Sequence, residues 1–294
     1  MSATTTEKAE LLYDVKSILG EGPVWDWIKQ RLIWVDIEGR RLYEHNPLNG
    51  KNRHWDFGQM VGAAVPKKDG NILLALESGL ASFDPEESTL VDHPALKNTD
   101  PLMRYNDGKV GPDGNFWIGS MHKEFLAHSG NLFRVTKDFE TMVQIPKTTI
   151  SNGMAWTADH KIFYYIDSPS FEVCAFDFDL ASGTISNKRS VLSIPEPFGS
   201  PDGMTIDSND MLWVAHWGGG CVRQWNPITG EVLLTIKVDA PHVTSCCFGG
   251  KNLDTLYITS ARSGLDALRG KTYPFSGGLF QYKPKAKGKP ITYF

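Results

Sequence analysis

One phrase recurs along this chain every 40–50 residues, and few folds can use such a spacing. It consists of a small turn ending in glycine, an apolar strand, an Asp/Gly turn and an aromatic strand. It opens at Gly22-Pro23-Val24-Trp25 and continues to Leu32-Ile33-Trp34-Val35-Asp36. Further copies begin at Gly62, Gly108, Gly153 and Gly203, and a weaker sixth runs from Ser245-Cys246-Cys247-Phe248 to Leu256-Tyr257-Ile258. The successive glycines are 40, 46, 45 and 50 residues apart. That is the length of a four-stranded propeller blade. Between the apolar runs lie Asp69-Gly70, Asp113-Gly114, Asn49-Gly50, Ser182-Gly183 and Thr229-Gly230, all turn signals. The 28 glycines and 17 prolines are spread throughout, and no window of 12 or more residues carries a helical period. The expected fold is therefore all-β. Six copies predict a six-bladed β-propeller, with hairpins of a β-sandwich as the alternative. Residues 1–10 read as a short polar tail and residues 11–294 as a single propeller domain. A strand from Leu11 to Val15 is expected to join the last blade and close the ring, which removes exposed sheet edges. The stretch Pro195 to Pro201 reads as a loop, and Lys283 to Lys289 as a solvated strand end.

The formal net charge of −4 leaves no broad cationic surface for nucleic acid or an anionic membrane. No apolar run is long enough to span a bilayer, and Met1 to Glu10 lacks the apolar core of a secretory signal. The four cysteines (Cys174, Cys221, Cys246 and Cys247) form no CxxC pair. They suit packing inside strands better than disulfides or a zinc site, and they fit a reducing compartment. The expected location is the cytoplasm.

In a propeller the first strand of each blade lines the central channel, so residues at one phase of the repeat converge on its axis. The residues preceding the repeat glycines are Glu21, Val61, Asp107, Asn152 and Asp202. Four of the five carry a side-chain oxygen. Each Asp-Gly or Asn-Gly taken alone reads as a turn. Together they would crowd carboxylates into a narrow channel, where a cation relieves the repulsion. Oxygen donors suit Ca²⁺, Mg²⁺ or Mn²⁺, and softer ions such as zinc or iron can be accommodated.

A second polar set accompanies the third copy: Arg104, Asn106 and Asp107, with Glu124 after the following strand. An arginine and an asparagine beside a metal can donate to several ligand oxygens at once. A surface ion pair for Arg104 and a solvated loop for Glu124 are the competing readings. His122, His216 and His242 fall near strand ends, but none shares a repeat phase with another. Arg40, Arg223 and Arg262 would favour an acidic sugar if they reached the mouth. Trp217-Gly218-Gly219-Gly220 is a tight turn suited to walling the site. There is no G-x-S-x-G, H-E-x-x-H, Walker A or G-x-G-x-x-G motif.

Several segments resemble the SMP-30/gluconolactonase family, which includes regucalcin and bacterial sugar lactonases. They are Gly20-Glu21-Gly22-Pro23, Arg104-Tyr105-Asn106-Asp107-Gly108-Lys109, Ser151-Asn152-Gly153, Asp159 to Asp167, Pro201-Asp202-Gly203-Met204 and Thr244 to Gly250. The resemblance runs from about Leu19 to Gly278. It implies a six-bladed propeller holding one divalent metal on Glu21, Asn152 and Asp202, with Asp202 also the catalytic acid/base. It further implies substrate contacts from Arg104, Asn106 and Glu124. Asp107 belongs to the motif but is not a metal ligand in the family. The implied activity is hydrolysis of a small sugar lactone to its aldonic acid, with no nucleic-acid or membrane partner. An esterase or phosphotriesterase on the same scaffold, and a calcium-binding protein without turnover, are the other readings. The polar mouth favours sugars over the apolar substrates of the first of these.

Overall fold

The computed structural model describes residues 5–294, which contain 25 strands, two single 3₁₀ turns and one helix, Ala267–Thr272. The fold is all-β and propeller-like. Four sheets are four-stranded antiparallel meanders, each a consecutive run of the chain. The first comprises Gly20–Asp26, Arg31–Asp36, Arg41–Asn46 and Lys51–Asp56. The next three begin with Val61–Pro66, Met103–Val110 and Ser151–Trp156. These leading strands are buried almost throughout, whereas the last strand of each meander is largely exposed, as in Lys51–Asp56 and Thr89–Asp92. Burial therefore falls from the hub outward.

Where six separate blades were expected, there are five sheets, because the fifth and sixth repeats share one of nine strands. Ser200–Ile206 leads one meander in it and His242–Gly249 the other. A single residue pair, Trp217 with His242, joins the two halves. Their rings stack at 4.1 Å and 12°, which holds the two strand ends together. The six leading strands nevertheless pack in sequence, each against the next, and His242–Gly249 returns to Gly20–Asp26.

The amino-terminal segment stitches this circle. Glu10–Tyr13 pairs antiparallel with Leu279–Tyr282, as expected for the closing strand. Thr5–Lys8, within the expected polar tail, instead forms a parallel pair with Val232–Lys237. Its outward polar side chains suit an exposed edge strand. In the lysine-rich carboxy-terminal segment Lys283, Lys285 and Lys287 are exposed as expected, but Lys289 departs from expectation. Lys289 Nζ donates to Trp156 O and Asp210 Oδ1, both at 3.0 Å. Tyr293 Oη donates to Asp26 Oδ1 at 2.8 Å, and Phe294 packs edge-on against Phe116. The aromatic residues after the lysines thus turn the segment inward as a strap. Between this strap and the ring lies a cavity of about 160 Å³, lined in part by Lys109, Asp107, Cys246 and Cys247. All four cysteines are buried and unbridged.

Gly62, Gly153 and Gly203 mark places where neighbouring leading strands nearly touch. A Cβ on Gly153 would stand 2.7 Å from Met204 Cβ and Ile166 Cδ1, and 2.8 Å from Asp202 O. Gly153→Ala should therefore overpack the hub. The expected cost is about 1–3 kcal/mol, a fall of roughly 2–8 °C in Tm measured by calorimetry. An unchanged Tm would mean the strands can separate freely there.

Candidate functional site

All six leading strands break register at the same phase. The irregularities fall between Glu21 and Val24, Val61 and Ala63, Tyr105 and Gly108, Ser151 and Met154, Pro201 and Met204, and Val243 and Ser245. A bulge frees one residue from the ladder and re-aims its side chain. Asn106, Asp107, Asn152 and Asp202 sit within these breaks, and Glu21, paired with Val35, stands at the edge of its own. The residues preceding the strands are pinned as well. Asp36 accepts from the N–H groups of Ile18 and Leu19 at 2.8 and 2.9 Å. Asp167 does the same for Thr149 and Ile150, at 3.0 and 2.7 Å. A carboxylate at the end of each second strand thereby fixes where Glu21 and Asn152 enter the hub.

The side chains form one connected buried cluster. The Glu21 and Asp202 carboxyl groups are close enough for each to perturb the other's ionisation. Gly22 N donates to Glu21 Oε2 at 2.8 Å. Asn152 Nδ2 donates to Ser168 Oγ at 2.8 Å, which fixes the amide orientation. Its Oδ1 accepts from Asn106 Nδ2 at 3.0 Å. Asn106 Nδ2 also donates to Ser151 O at 2.8 Å, while Asn106 Oδ1 accepts from Arg104 Nη1 at 2.6 Å. Arg104 Nη1 further donates to Tyr105 O at 3.1 Å. Among the described residues Arg104 engages only this nitrogen, which leaves Nε and Nη2 for a ligand.

Three buried carboxyl groups, Glu21, Asp107 and Asp202, have no ion-pair partner within 4.0 Å among the described residues. Burial, reinforced by Asp107, pushes Glu21 up to about 8. Burial, then Glu21 and Asp107, raises Asp202 well above the usual carboxylate range. Burial raises Asp107 as well. Arg104 is held below its ordinary value by burial, against the pull of Glu21, Glu38, Asp202 and Glu77. Unpaired, desolvated carboxyls beside an oriented amide oxygen fit a hard cation. Among the described residues no trio of His, Cys, Asp and Glu is gathered closely enough to hold a metal. Any cation donor set here would have to add the Asn152 amide oxygen to the Glu21 and Asp202 carboxyls.

Arg104 and Asn106 join this cluster, but Glu124 does not. Glu124 is exposed on the turn after Phe116–His122, and its carboxylate has no hydrogen-bond partner among the described residues. Its backbone N–H donates to His122 Nδ1 at 3.1 Å. The three arginines considered as mouth charges are engaged locally. Arg223 lies 4.0 Å over the Phe198 ring, Arg262 donates to Ser17 O, and Arg40 donates to Gly58 O. His216 is buried, and His242 is tied to Ser263 O.

Two contributors were not evident from sequence. Ser168 orients Asn152, and its only signal was its position one residue beyond an aromatic strand. Thr244 occupies the sixth break, where its Oγ1 donates to Gly20 O at 2.5 Å beside Glu21. The spacing of the sixth repeat could have pointed to it.

The SMP-30/Gluconolactonase/LRE-like region model matches residues 19–262. Regucalcin of Macaca fascicularis is 37% identical over 267 residues, covering 89% of each chain. The crystal structure of a calcium-binding protein, regucalcin, from Agrobacterium tumefaciens superimposes with a TM-score of 0.95 at 24% identity, covering 100% of this chain and 99% of that one. A luciferin-regenerating enzyme superimposes with a TM-score of 0.90 at 29% identity, covering 97% and 98%. Matched by the family model over most of its length and by relatives at 37% identity, this chain belongs to the SMP-30/gluconolactonase/LRE-like family.

Proposed function

We propose that this protein is a divalent-cation-dependent sugar lactonase that opens a neutral aldonolactone to its aldonic acid. The nine-stranded sheet is read as two blades joined at one residue pair, which gives six blades around a channel. Glu21, Asn152 and Asp202 would hold the cation. Three protein ligands leave room for water and substrate. A cation held there supplies Lewis-acid polarisation of the lactone carbonyl and offsets the negative charge formed on attack. Asp202 accepts the proton of the attacking water. It returns that proton to the ring oxygen as the ester C–O bond breaks, and the aldonic acid so formed then loses its carboxyl proton to solvent at neutral pH. Arg104 orients the sugar hydroxyls through Nε and Nη2. Asn106 adds only its Oδ1 as an acceptor, because its two amide hydrogens go to Ser151 O and Asn152 Oδ1. Glu124 would reach the sugar only if its loop folds over the mouth.

The observation that carries this reading is the hydrogen-bonded line from Arg104 through Asn106 to Asn152, which ties hydroxyl-binding donors to the cation donors. Glu21, Glu38 and Asp202 act on Arg104 through their charge, as does Glu77, which is itself paired with Lys123. That surplus of negative charge disfavours an acidic sugar and supports a neutral one. The relative described as calcium-binding supports a second reading, in which the site binds a cation without turnover.

The test is a panel of aldonolactones assayed by proton release, using metal-stripped protein with Ca²⁺, Mg²⁺, Mn²⁺ or Zn²⁺ added singly. Turnover of at least one neutral lactone is expected, falling to the spontaneous rate on chelation. Cation binding with no turnover of any lactone would select the second reading.

A further inference from the structure

Lys109 follows the site residues Asn106 and Asp107 by three and two positions; its charge partly offsets that of Asp107, but its hydrogen bonds go to neither. Its Nζ donates to Met154 O at 2.9 Å and to Met204 O at 2.8 Å. Met154 lies two residues beyond Asn152, and Met204 two residues beyond Asp202. Each leading strand pairs with its own sheet on one side only, through Met154 with Tyr165 and Met204 with Val214. Carbonyls on the channel side have no ladder partner and need one when buried. A single ammonium group satisfies two of them, on two different sheets and on the two strands that bring Asn152 and Asp202 to the axis.

We propose that Lys109 is a positioning residue for the cation site: it clamps the Ser151–Trp156 and Ser200–Ile206 strands at the separation at which Asn152 and Asp202 share one ion. This rests on the cation-binding reading above. Lys109 has no place in the proposed chemistry and acts only through the strands it bridges. Its charge makes the role separable from electrostatics. A buried ammonium repels a neighbouring cation, so if charge alone mattered, removing it would tighten cation binding. A lost clamp weakens binding instead.

Lys289 supplies the comparison. It also donates to a leading-strand carbonyl, that of Trp156, but its second partner is Asp210 rather than a carbonyl on the other ligand strand. The experiment is calorimetric titration of Ca²⁺ and Mn²⁺ into metal-stripped wild type, Lys109→Met and Lys289→Met, with a thermal melt of each cation-free protein. Lys109→Met should bind at least tenfold more weakly. Lys289→Met should lose Tm while binding within threefold of wild type. Unchanged or tighter binding by Lys109→Met overturns the proposal, as does equal weakening in both variants. If Lys109→Met does not fold, Lys109→Gln is read in its place, with at least threefold weakening expected and unchanged or tighter binding overturning the proposal. Wild type that binds no divalent cation overturns the proposed function and this inference together, whereas normal wild-type binding with unaltered Lys109 variants overturns this inference alone.

Discussion

Asp202→Asn should lower kcat for lactone opening by about 10³-fold or more, measured at saturating cation. The substitution preserves shape but removes two properties at once. An amide cannot accept the proton of the attacking water, and a general acid–base group alone is worth about 10²–10⁴-fold. The amide also carries no charge, so the cation would be held by one carboxylate and two amides, and its affinity should fall as well. Calorimetric titration separates the two effects, since the loss in kcat must persist once every site is filled. The fold should survive, because Asp202 forms no salt bridge among the described residues and the neutral side chain relieves repulsion from Glu21 and Asp107. Activity within tenfold of wild type at saturation would transfer the acid/base role to another group.

The second large effect is a steep pH dependence of cation binding. Without a cation, Glu21 is pushed up to about 8 and is largely protonated at pH 6, and Asp202 is raised in the same direction. Binding requires the carboxylates and must expel at least one proton. Affinity should therefore rise about tenfold per pH unit between pH 6 and 8 for each proton displaced, flattening above the Glu21 value. Stability runs the other way. An acid whose pKa is raised on folding contributes stability below its unfolded value, and that contribution is lost as pH climbs through the folded one. Cation-free protein should thus melt lower at pH 8.5 than at pH 5.5, and added cation should recover most at the higher pH. Titrations in buffers of differing ionisation enthalpy count the protons released. A pH-independent affinity would show that Glu21 and Asp202 are already ionised in the free protein.

The strands were legible because their signal is local: aromatic and β-branched runs such as Phe116-Trp117-Ile118 between Asp/Gly turns. Glu21, Asn152 and Asp202 were legible because the repeat phase marks them, and Arg104 and Asn106 joined them through a motif. The register breaks were hidden, since register belongs to a pair of strands and not to either alone. The fusion of the last two sheets rests on one contact, Trp217 with His242, between turns whose conformations the sequence does not specify. The carboxy-terminal strap was misread because attention fell on its lysines, while Tyr293 and Phe294 decide its path. Lys109 stood in plain view within the third repeat, but only the positions of Met154 and Met204 reveal what it holds.

The breaks shared by the six leading strands also bear on how such a protein can change. Val61 and Thr244 occupy the same slot as the acidic and amide donors, one filled by an aliphatic group and the other by a hydroxyl. The scaffold presents six equivalent seats around a common axis, and under the proposed function only some are taken by ion-binding groups. A lineage can thus trade one cation preference for another by swapping single occupants, while the surrounding walls stay where they are.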